Sequence, residues 1–430
     1  LLRELTGLPA VQLDAIVRDL LGASLLVVDG DRYRFRHALL QETVYDELLP
    51  GERVELHTRI AEHLSAGGGG TLPVGVAPAD VRAALRTGCV PGLGGASAAE
   101  LAHHWTEARR QPEAFSASVA AGIEAEARGA PGDAAVHYQR ALELWDVVPD
   151  AAERSPLDRL TLLDWAAMAS SNVGRYDQAY ALHKAGYTQA ERDGEHQKAA
   201  WFLARIAKDR YLANLPGSEE AFQRALELVP AEPWTRERVF VLAGQAQLFM
   251  LTGRLDESIA VAREALEGAV TLGERHLEGE LRNTLGTALA NHRHPDGFVE
   301  LRRALAIAHE VGHAEDIGRA YVNLASALSE DGRWDELFAH GAEGLAETRR
   351  RGIDRTHGAY LQTNVIVGLV AVGRWDDAVA AQATLTARLP PDIGIFFACD
   401  PLLADRGELD AAAAAIERTR ALPEAHTAAL

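Results

Sequence analysis

The chain has 430 residues, of which 47% are hydrophobic, 6% aromatic and 24% charged, and its formal net charge is −19. A composition rich in alanine and leucine with few aromatic residues favours packed helices over β-sheets. The excess of negative charge disfavours binding to nucleic-acid phosphates and to anionic membrane surfaces, because both would repel it. No apolar run reaches the length of about 18 residues that a membrane-spanning helix needs.

Residues 1–66 are predicted to form one small unit. Apolar residues recur at helical spacing between Leu5 and Leu21, and Gly22 ends that helix. A β-hairpin is predicted around the turn Asp29-Gly30-Asp31, followed by two helical stretches. This order is typical of a winged-helix domain. Seven arginines, no lysine and eleven carboxylates make the unit acidic, which argues against DNA binding.

Residues 67–98 are rich in glycine, alanine and proline and are predicted to be a linker. The linker contains no lysine, so it does not match a phosphate-binding loop. Cys89 and Cys399 form neither a zinc-binding spacing nor a disulfide framework, which favours a reducing cytoplasm. The chain begins at Leu1 inside a helical pattern and without a methionine, so we interpret it as part of a longer protein.

Residues 99–430 contain an internal repeat. A string of glycine, arginine, an aromatic residue or leucine, and aspartate recurs with steps of 79, 79 and 41 residues, and a second set of glycines follows long helical runs. Glycine just past a helix end adopts the left-handed backbone that caps the helix. The sequence therefore predicts an all-α fold: a TPR-like α-solenoid, a superhelix of about eight helix pairs of about 40 residues each. The strings begin at Gly174, Gly253, Gly332 and Gly373, and the second set is Gly194, Gly273, Gly312 and Gly352.

In TPR-like arrays the first helix of each pair lines the concave face. We expect a ligand- or partner-binding groove there, because polar and aromatic side chains recur on the predicted first helices. The alternative is that these are merely solvated polar positions. The predicted groove residues are Gln247, Asn283, Tyr321, Asn323, Tyr360 and Asn364.

One string resembles a catalytic motif. His309-Glu310-Val311-Gly312-His313 matches the His-Glu-x-x-His zinc-protease pattern, whose two imidazoles must lie one turn apart on one helix. Gly312 occupies the helix-stop position of the repeat, so His313 is expected beyond the helix. The adjacent pair His103-His104 points in directions about 100° apart on a helix and is interpreted as structural. No catalytic residue and no metal site is predicted in this chain.

Four stretches together resemble the large ATP-binding LuxR-type transcriptional regulators of actinobacteria, which belong to the signal-transduction ATPases with numerous domains (STAND). The first stretch is fairly specific, and the resemblance extends over nearly the whole chain. These stretches are residues 33–40 (YRFRHALL), 45–53 (YDELLPGER), 99–105 (AELAHHW) and 138–145 (YQRALELW).

The resemblance implies an ATPase domain, a winged helix, a TPR-like sensor and a DNA-binding tail in the parent protein. This chain would be the winged-helix and sensor portion, without direct DNA binding, and ATP or ADP would bind in the ATPase domain of the parent. Related ATPases contact the ADP phosphate through a winged-helix histidine, which places a nucleotide-sensing role on His37 with Arg36 as its neighbour. The alternative for His37 is structural packing beneath the hairpin.

The function implied is a sensor and oligomerisation region of an ATP-dependent regulator in the cytoplasm. Its partners would be a small-molecule inducer or a regulatory protein on the concave surface, its own ATPase domain, and a second copy of itself. A protein-interaction scaffold of another ATPase, linked to a cyclase or a kinase, is an alternative. A metalloenzyme acting through His309 and His313 is a third class.

Overall fold

The computed structural model describes residues 2–30, 32–66, 97–387, 407–410, 413–414 and 417. Almost all of the predicted linker, together with Cys89 and Cys399, lies outside these described residues. The chain forms two compact units, Leu1–Arg175 and Tyr176–Leu430. Within these described residues the fold is all-α apart from one two-stranded hairpin, which confirms the predicted fold class.

The first 66 residues form four helices and the hairpin. Leu26 pairs with Phe35 and Asp29 with Arg32 in the antiparallel register, and Gly30 has a φ of +61° in the turn, so the predicted hairpin is confirmed. The predicted continuous helix before Gly22 is wrong, because Gly7 has a φ of +65° and Pro9 precedes the second helix. The elements are α1 (Leu2–Thr6), α2 (Ala10–Gly22), β1 (Leu26–Asp29), β2 (Arg32–Phe35), α3 (Ala38–Glu47) and α4 (Pro50–Ala66).

The rest of the first unit consists of helices that pack in chain order. Helix α4 packs on the first of these helices, so the first 66 residues and the first repeat helices belong to one compact unit. The assignment of residues 1–66 to a separate winged-helix domain stays a prediction. The helices are α5 (Ala98–Glu107), α6 (Gln111–Ala127), α7 (Pro131–Trp145), α8 (Ala151–Arg154) and α9 (Arg159–Asn172).

The second unit is a series of antiparallel helix pairs. Its first helix, α10 (Tyr176–Arg192), packs on the first helix of the first pair. Each pair then packs on the next pair along the chain. The pairs repeat about every 40 residues, as the sequence predicts. They are α11 (His196–Leu212) with α12 (Ser218–Leu228), α13 (Arg236–Leu251) with α14 (Leu255–Leu272), α15 (Arg275–Asn291) with α16 (Asp296–Val311), α17 (Ala314–Glu330) with α18 (Trp334–Arg350), and α19 (His357–Ala371) with α20 (Trp375–Thr386).

The repeated glycine-arginine string has a structural role at each turn. The glycine takes a left-handed backbone, as at Gly332 with a φ of +70°, and the arginine precedes the second helix of the pair. The Nε atom of Arg333 donates to Glu336 at 2.8 Å, and the guanidinium lies 4.4 Å from the ring centre of Phe298 in the preceding pair. Arg374 repeats both contacts with Asp377 and Phe338. In these two copies the cation–π contact ties the pair to the one before it, whereas the ion pair lies within the pair at the start of its second helix.

Small residues let the helices approach closely, as at Gly344 on α18. A Cβ atom at that position would lie 2.5 Å from Leu361 and 2.6 Å from Tyr321. Between α15 and α16 the approach involves the backbone itself: a Cβ atom at Gly297 would lie 2.6 Å from the nitrogen of Ala290. Glycine at these crossings therefore sets the spacing between the helices, which positions the face described next.

Candidate functional site

The first helices of the pairs in the second unit lie side by side. α11 packs on α13, α13 on α15, α15 on α17, and α17 on α19. Side chains that point away from the second helices therefore form one continuous surface, which we call the first-helix face. This is the surface on which the sequence predicts a groove.

The α11 and α13 part of the first-helix face carries an aromatic pair surrounded by cations. The rings of Trp201 and Phe240 are stacked, with 3.7 Å between their centres and 14° between their planes. The Arg205 guanidinium lies 5.2 Å from the Trp201 ring centre and 4.8 Å from that of Phe240, and the Arg236 guanidinium lies 5.1 Å from the Trp201 ring. We call these four residues with Lys208 the cation–aromatic patch.

Lys208 lies on the same stripe of α11 as Trp201 and Arg205, because residues four and seven apart share one side of a helix. Its side chain is exposed, yet desolvation by the surrounding protein lowers the pKa of its ammonium group, and the charges of Arg205 and Arg319 lower it further. Glu280 acts in the opposite direction with a smaller effect. The groups that act on Lys208 are thus two arginines and, with smaller effects, the carboxylates of Glu280 and Asp209.

The charge of Arg319 lowers the pKa of Lys208 and so relates α11 to α17, three pairs further along the chain. Arg319 lies between two carboxylates: its Nη2 atom is 2.8 Å from Glu280 and 2.9 Å from Asp316. Asp316 also contacts the Nδ1 atoms of His276 and His313, each at 3.0 Å. These five residues form an ion-pair network on α15 and α17.

The network holds its carboxylates in the charged form. Burial alone would raise the pKa of Asp316, but the hydrogen bonds from His276 and His313 and the charge of Arg319 hold it well below its usual range. Burial would lower the pKa of His276, but Asp316 and Glu280 raise it. Carboxylates with lowered pKa values are poor proton donors, so the network is suited to fixing charges on the face rather than to acid–base catalysis.

The predicted groove residues separate into exposed and interior positions. Gln247 is half-buried and follows Phe240 by two helical turns, and Asn323 is half-buried one turn after Arg319, so both lie on stripes of the first-helix face. Asn364 is half-buried, and its Nδ2 atom lies 3.4 Å from the carbonyl oxygen of Val322. Tyr360 is 54% exposed on α19.

Tyr321 and Asn283 lie in the interior. The Tyr321 side chain is 1% exposed, and its hydroxyl donates to Glu343 at 2.9 Å and lies 3.2 Å from Nε2 of His309. Asn283 is 5% exposed, and its Oδ1 atom has no hydrogen-bond partner among the described residues. Asn283 lines a small cavity together with Glu280 and Asp316. Sequence reasoning predicted the face but missed the cation–aromatic patch on it.

The two residues predicted to sense nucleotide lie at the surface of the first unit. His37 and Arg36 are both exposed, and His37 precedes the first residue of α3 without a side-chain capping bond. The backbone nitrogen of Arg36 donates to the carbonyl of Leu25 at 2.9 Å, which extends the hairpin. Among the described residues, no contact places the His37 side chain beneath the hairpin. The nucleotide-sensing role of His37 stays a prediction.

The zinc-protease lookalike is divided between two helices. α16 ends at Val311, Gly312 caps it with a φ of +82°, and His313 precedes α17. His309 contacts the hydroxyl of Tyr321, whereas His313 contacts Asp316 at 3.0 Å. Since the two imidazoles do not share a helical face, the geometry of the His-Glu-x-x-His motif is absent from this segment.

The fold is similar to that of solved helical-repeat proteins. One is a Rap protein complexed with Competence and Sporulation Factor, with a TM-score of 0.50 and 14% identity over 79% of this chain and 94% of that one. Aspartyl phosphate phosphatase F from Bacillus subtilis has a TM-score of 0.46 and 14% identity over 80% and 93%. A STAND protein with a tetratricopeptide repeat sensor from Pyrococcus horikoshii has a TM-score of 0.46 and 14% identity over 99% of this chain and 59% of that one.

At these identities the likeness shows the fold alone, a TPR-like helical repeat. No protein-family model matches the sequence, and no curated protein matches it. Within the described ranges, no helix combines the length and apolar character that crossing a membrane requires.

Proposed function

We propose that this chain is the ligand- or partner-sensing and oligomerisation region of an ATP-dependent transcriptional regulator of the LuxR-type STAND class, and that it is itself non-catalytic. The observation that carries the proposal is the cation–aromatic patch on the first-helix face. In an acidic protein with three lysines, Lys208 lies on one stripe of α11 with Arg205 and with Trp201, whose ring stacks on Phe240. That is a surface built for contact with a ligand.

The chemistry of the patch defines the ligand. A flat or apolar group would pack against Trp201 and Phe240, and an anionic group would bind Lys208 and Arg205. The half-buried amides of Gln247 and Asn323 would add hydrogen bonds farther along the face. An acidic segment of a regulatory protein fits this arrangement, and so does a small carboxylate inducer. The Rap structure, which holds a factor on the same kind of fold, supports a bound partner here.

The resemblance to LuxR-type regulators supports the rest of the proposal. The parent protein would bind ATP or ADP in its ATPase domain, and His37 with Arg36 would contact the nucleotide phosphate. Both side chains are exposed, which such a contact requires. A ligand on the first-helix face would favour one of two arrangements of the regulator and so control self-association. The acidic charge of the chain supports a role without DNA or membrane binding.

Peptide binding tests the sensor surface. Fluorescein-labelled peptides of equal length, with acidic, neutral and basic compositions around a tryptophan, would be titrated with the full chain by fluorescence anisotropy. We expect saturable binding of the acidic peptides, weakened about tenfold or more by Lys208→Glu, because a charge-assisted hydrogen bond contributes roughly 1.5–3 kcal/mol.

The matched control is Lys198→Glu, which makes the same charge change on the same helix. Lys198 is paired with Glu195 at 2.7 Å and lies outside the patch. Binding should change by less than about twofold in this variant, because rim charges contribute little at physiological salt. Equal weakening by both variants, or failure of every peptide to bind, would contradict the proposal.

A protein-interaction scaffold of another multidomain ATPase, linked to a cyclase or a kinase, is the alternative. The same ion pairs and aromatic rings would serve such a scaffold. ATP hydrolysis by the parent protein separates the two: a sensor changes the hydrolysis rate when its ligand binds, whereas a scaffold binds its partner at an unchanged rate.

A further inference from the structure

Three imidazoles meet between α4 and α5 in the first unit. His57 lies on α4, and His103 and His104 lie on α5, with one ring nitrogen of each within 4.8 Å of the others. The Nδ1 atoms of His57 and His104 are 2.8 Å apart, and the three ring centres are separated by 4.9 to 5.5 Å. Two helices separated in sequence by residues 67–97 thus place three nitrogen ligands around one point.

His57 is held so that its Nδ1 atom faces the other two rings. Its side chain is 4% exposed, and its Nε2 atom lies 3.0 Å from the hydroxyl of Tyr45. A hydrogen bond of this kind on the far ring nitrogen fixes the orientation of a ligating histidine, as outer hydrogen bonds do at known metal sites.

The three side chains differ in exposure: His57 is buried, His104 is half-buried and His103 is exposed. Three nitrogen ligands suit zinc, and the exposed side chain of His103 leaves a fourth position open to water.

We propose that His57, His103 and His104 bind one Zn²⁺ ion, which fastens α4 to α5. The proposal concerns the first unit and is independent of the ligand-binding role of the first-helix face. Zinc would replace the direct contact between the Nδ1 atoms of His57 and His104, with Tyr45 as the outer hydrogen-bond partner of His57. The alternative is a packed histidine cluster that holds no metal.

Zinc titration of the full, untagged chain tests the site. After removal of metals with a chelator, zinc would be added in competition with a chromophoric indicator, and bound zinc would be measured by mass spectrometry. We expect one equivalent bound tightly, and a rise in the thermal midpoint on binding, because a ligand that binds only the folded state stabilises it. Cobalt in place of zinc should give the visible absorption of a four-coordinate site.

The variant His103→Ala keeps the test independent of folding, because this side chain is exposed. We expect at least a hundredfold weaker zinc binding with an unchanged circular dichroism spectrum. Tyr45→Phe should weaken binding about tenfold through the loss of the outer hydrogen bond. The control is His63→Ala on the same helix α4, where the imidazole contacts Glu4 at 2.6 Å and zinc affinity should not change.

Two results would overturn the zinc site. One is the absence of saturable zinc binding to the folded chain at micromolar concentrations. The other is binding that His103→Ala and His104→Ala leave unchanged, which would place the metal at another of the 16 histidines of the chain.

Discussion

Helix α3 near the amino terminus and helix α17 in the second unit use apolar residues in opposite ways. α3 has no buried residue, and Leu39 on it is 74% exposed. α17 buries eight of its residues, including Ile317 and Leu324, against neighbouring helices. Both sequences contain apolar residues at helical spacing, so spacing alone does not create a core. A repeat helix is buried because helices of the neighbouring pairs cover it.

The exposed apolar residues of the first 66 residues agree with the proposed role of that region. Val11 is 80% exposed, Leu49 is 66% exposed and Val28 is 61% exposed. In the proposed regulator these side chains supply a surface for the ATPase domain, whereas the second unit needs no such partner for its core. Substitutions should therefore destabilise the second unit strongly and the first 66 residues weakly.

The largest effect is expected from a buried histidine–aspartate hydrogen bond in the second unit. The Nδ1 atom of His183 on α10 lies 2.5 Å from Asp209 on α11, and both side chains are almost fully buried. His183→Leu should cost about 3–5 kcal/mol of unfolding free energy, because it leaves the Asp209 carboxylate buried without this partner. Urea denaturation followed by circular dichroism measures the loss. The double variant with Asp209→Leu should recover much of it, and a double variant as unstable as the single one would contradict this account.

The second effect tests the close approach of α15 and α16. Gly297→Ala places a Cβ atom 2.6 Å from the backbone of Ala290, so the two helices must separate. Overpacking of this kind costs about 1–3 kcal/mol, measurable as a lower urea midpoint. Gly132→Ala is the control, because its nearest neighbour would be a Val173 methyl at 3.8 Å. If both substitutions change the midpoint equally, backbone contact does not limit the helix spacing.

A smaller effect is expected at the repeated glycine-arginine string. Arg333→Ala removes the cation–π contact with Phe298 and the ion pair with Glu336, and should cost about 1 kcal/mol. Arg333→Lys should recover only part of this, because lysine lacks the planar group that stacks on the ring. Thermal unfolding of the three proteins gives the comparison. Identical stability of the alanine variant and the parent chain would show that the string serves the turn alone.

The repeat architecture was predictable from the sequence because glycine has a conformational reason to recur. Gly194, Gly273, Gly312 and Gly352 all take φ values between +68° and +82°, as a helix-capping glycine must. The same spacing of capping glycines correctly predicted that a helix ends between His309 and His313. The predicted hairpin followed from the Asp-Gly turn. These signals are local, and local signals can be read from a single chain.

The positions on the candidate face were only partly predictable. Tyr321 and Asn323 are two residues apart on α17 and point about 200° apart, so they cannot both face the same surface. The amide of Asn323 lies on the exposed stripe, and Tyr321 is buried.

The histidine cluster was missed for a different reason. His103 and His104 alone make a poor metal site, and the third imidazole, His57, joins them only when α4 packs on α5. A tertiary contact of this kind leaves no pattern in the sequence.

The smallest effect is expected from Leu39→Ala on α3. Together with the matching substitution of the buried Leu324 on α17, it directly tests the comparison between the two helices. Leu39→Ala and Leu324→Ala remove the same atoms from one exposed and one buried leucine, whose side chains are 74% and 4% exposed. Leu39→Ala should change stability by less than about 0.5 kcal/mol, because its side chain is already in water in the folded chain. Leu324→Ala should cost about 2–5 kcal/mol through lost burial and the cavity it leaves. Hydrogen exchange of the amides in α3 and α17 follows each helix separately, so the loss is assigned to the helix that carries the substitution. A loss above about 1 kcal/mol for Leu39→Ala would mean that α3 is covered in solution by a second copy of the chain, and dilution would then weaken the effect.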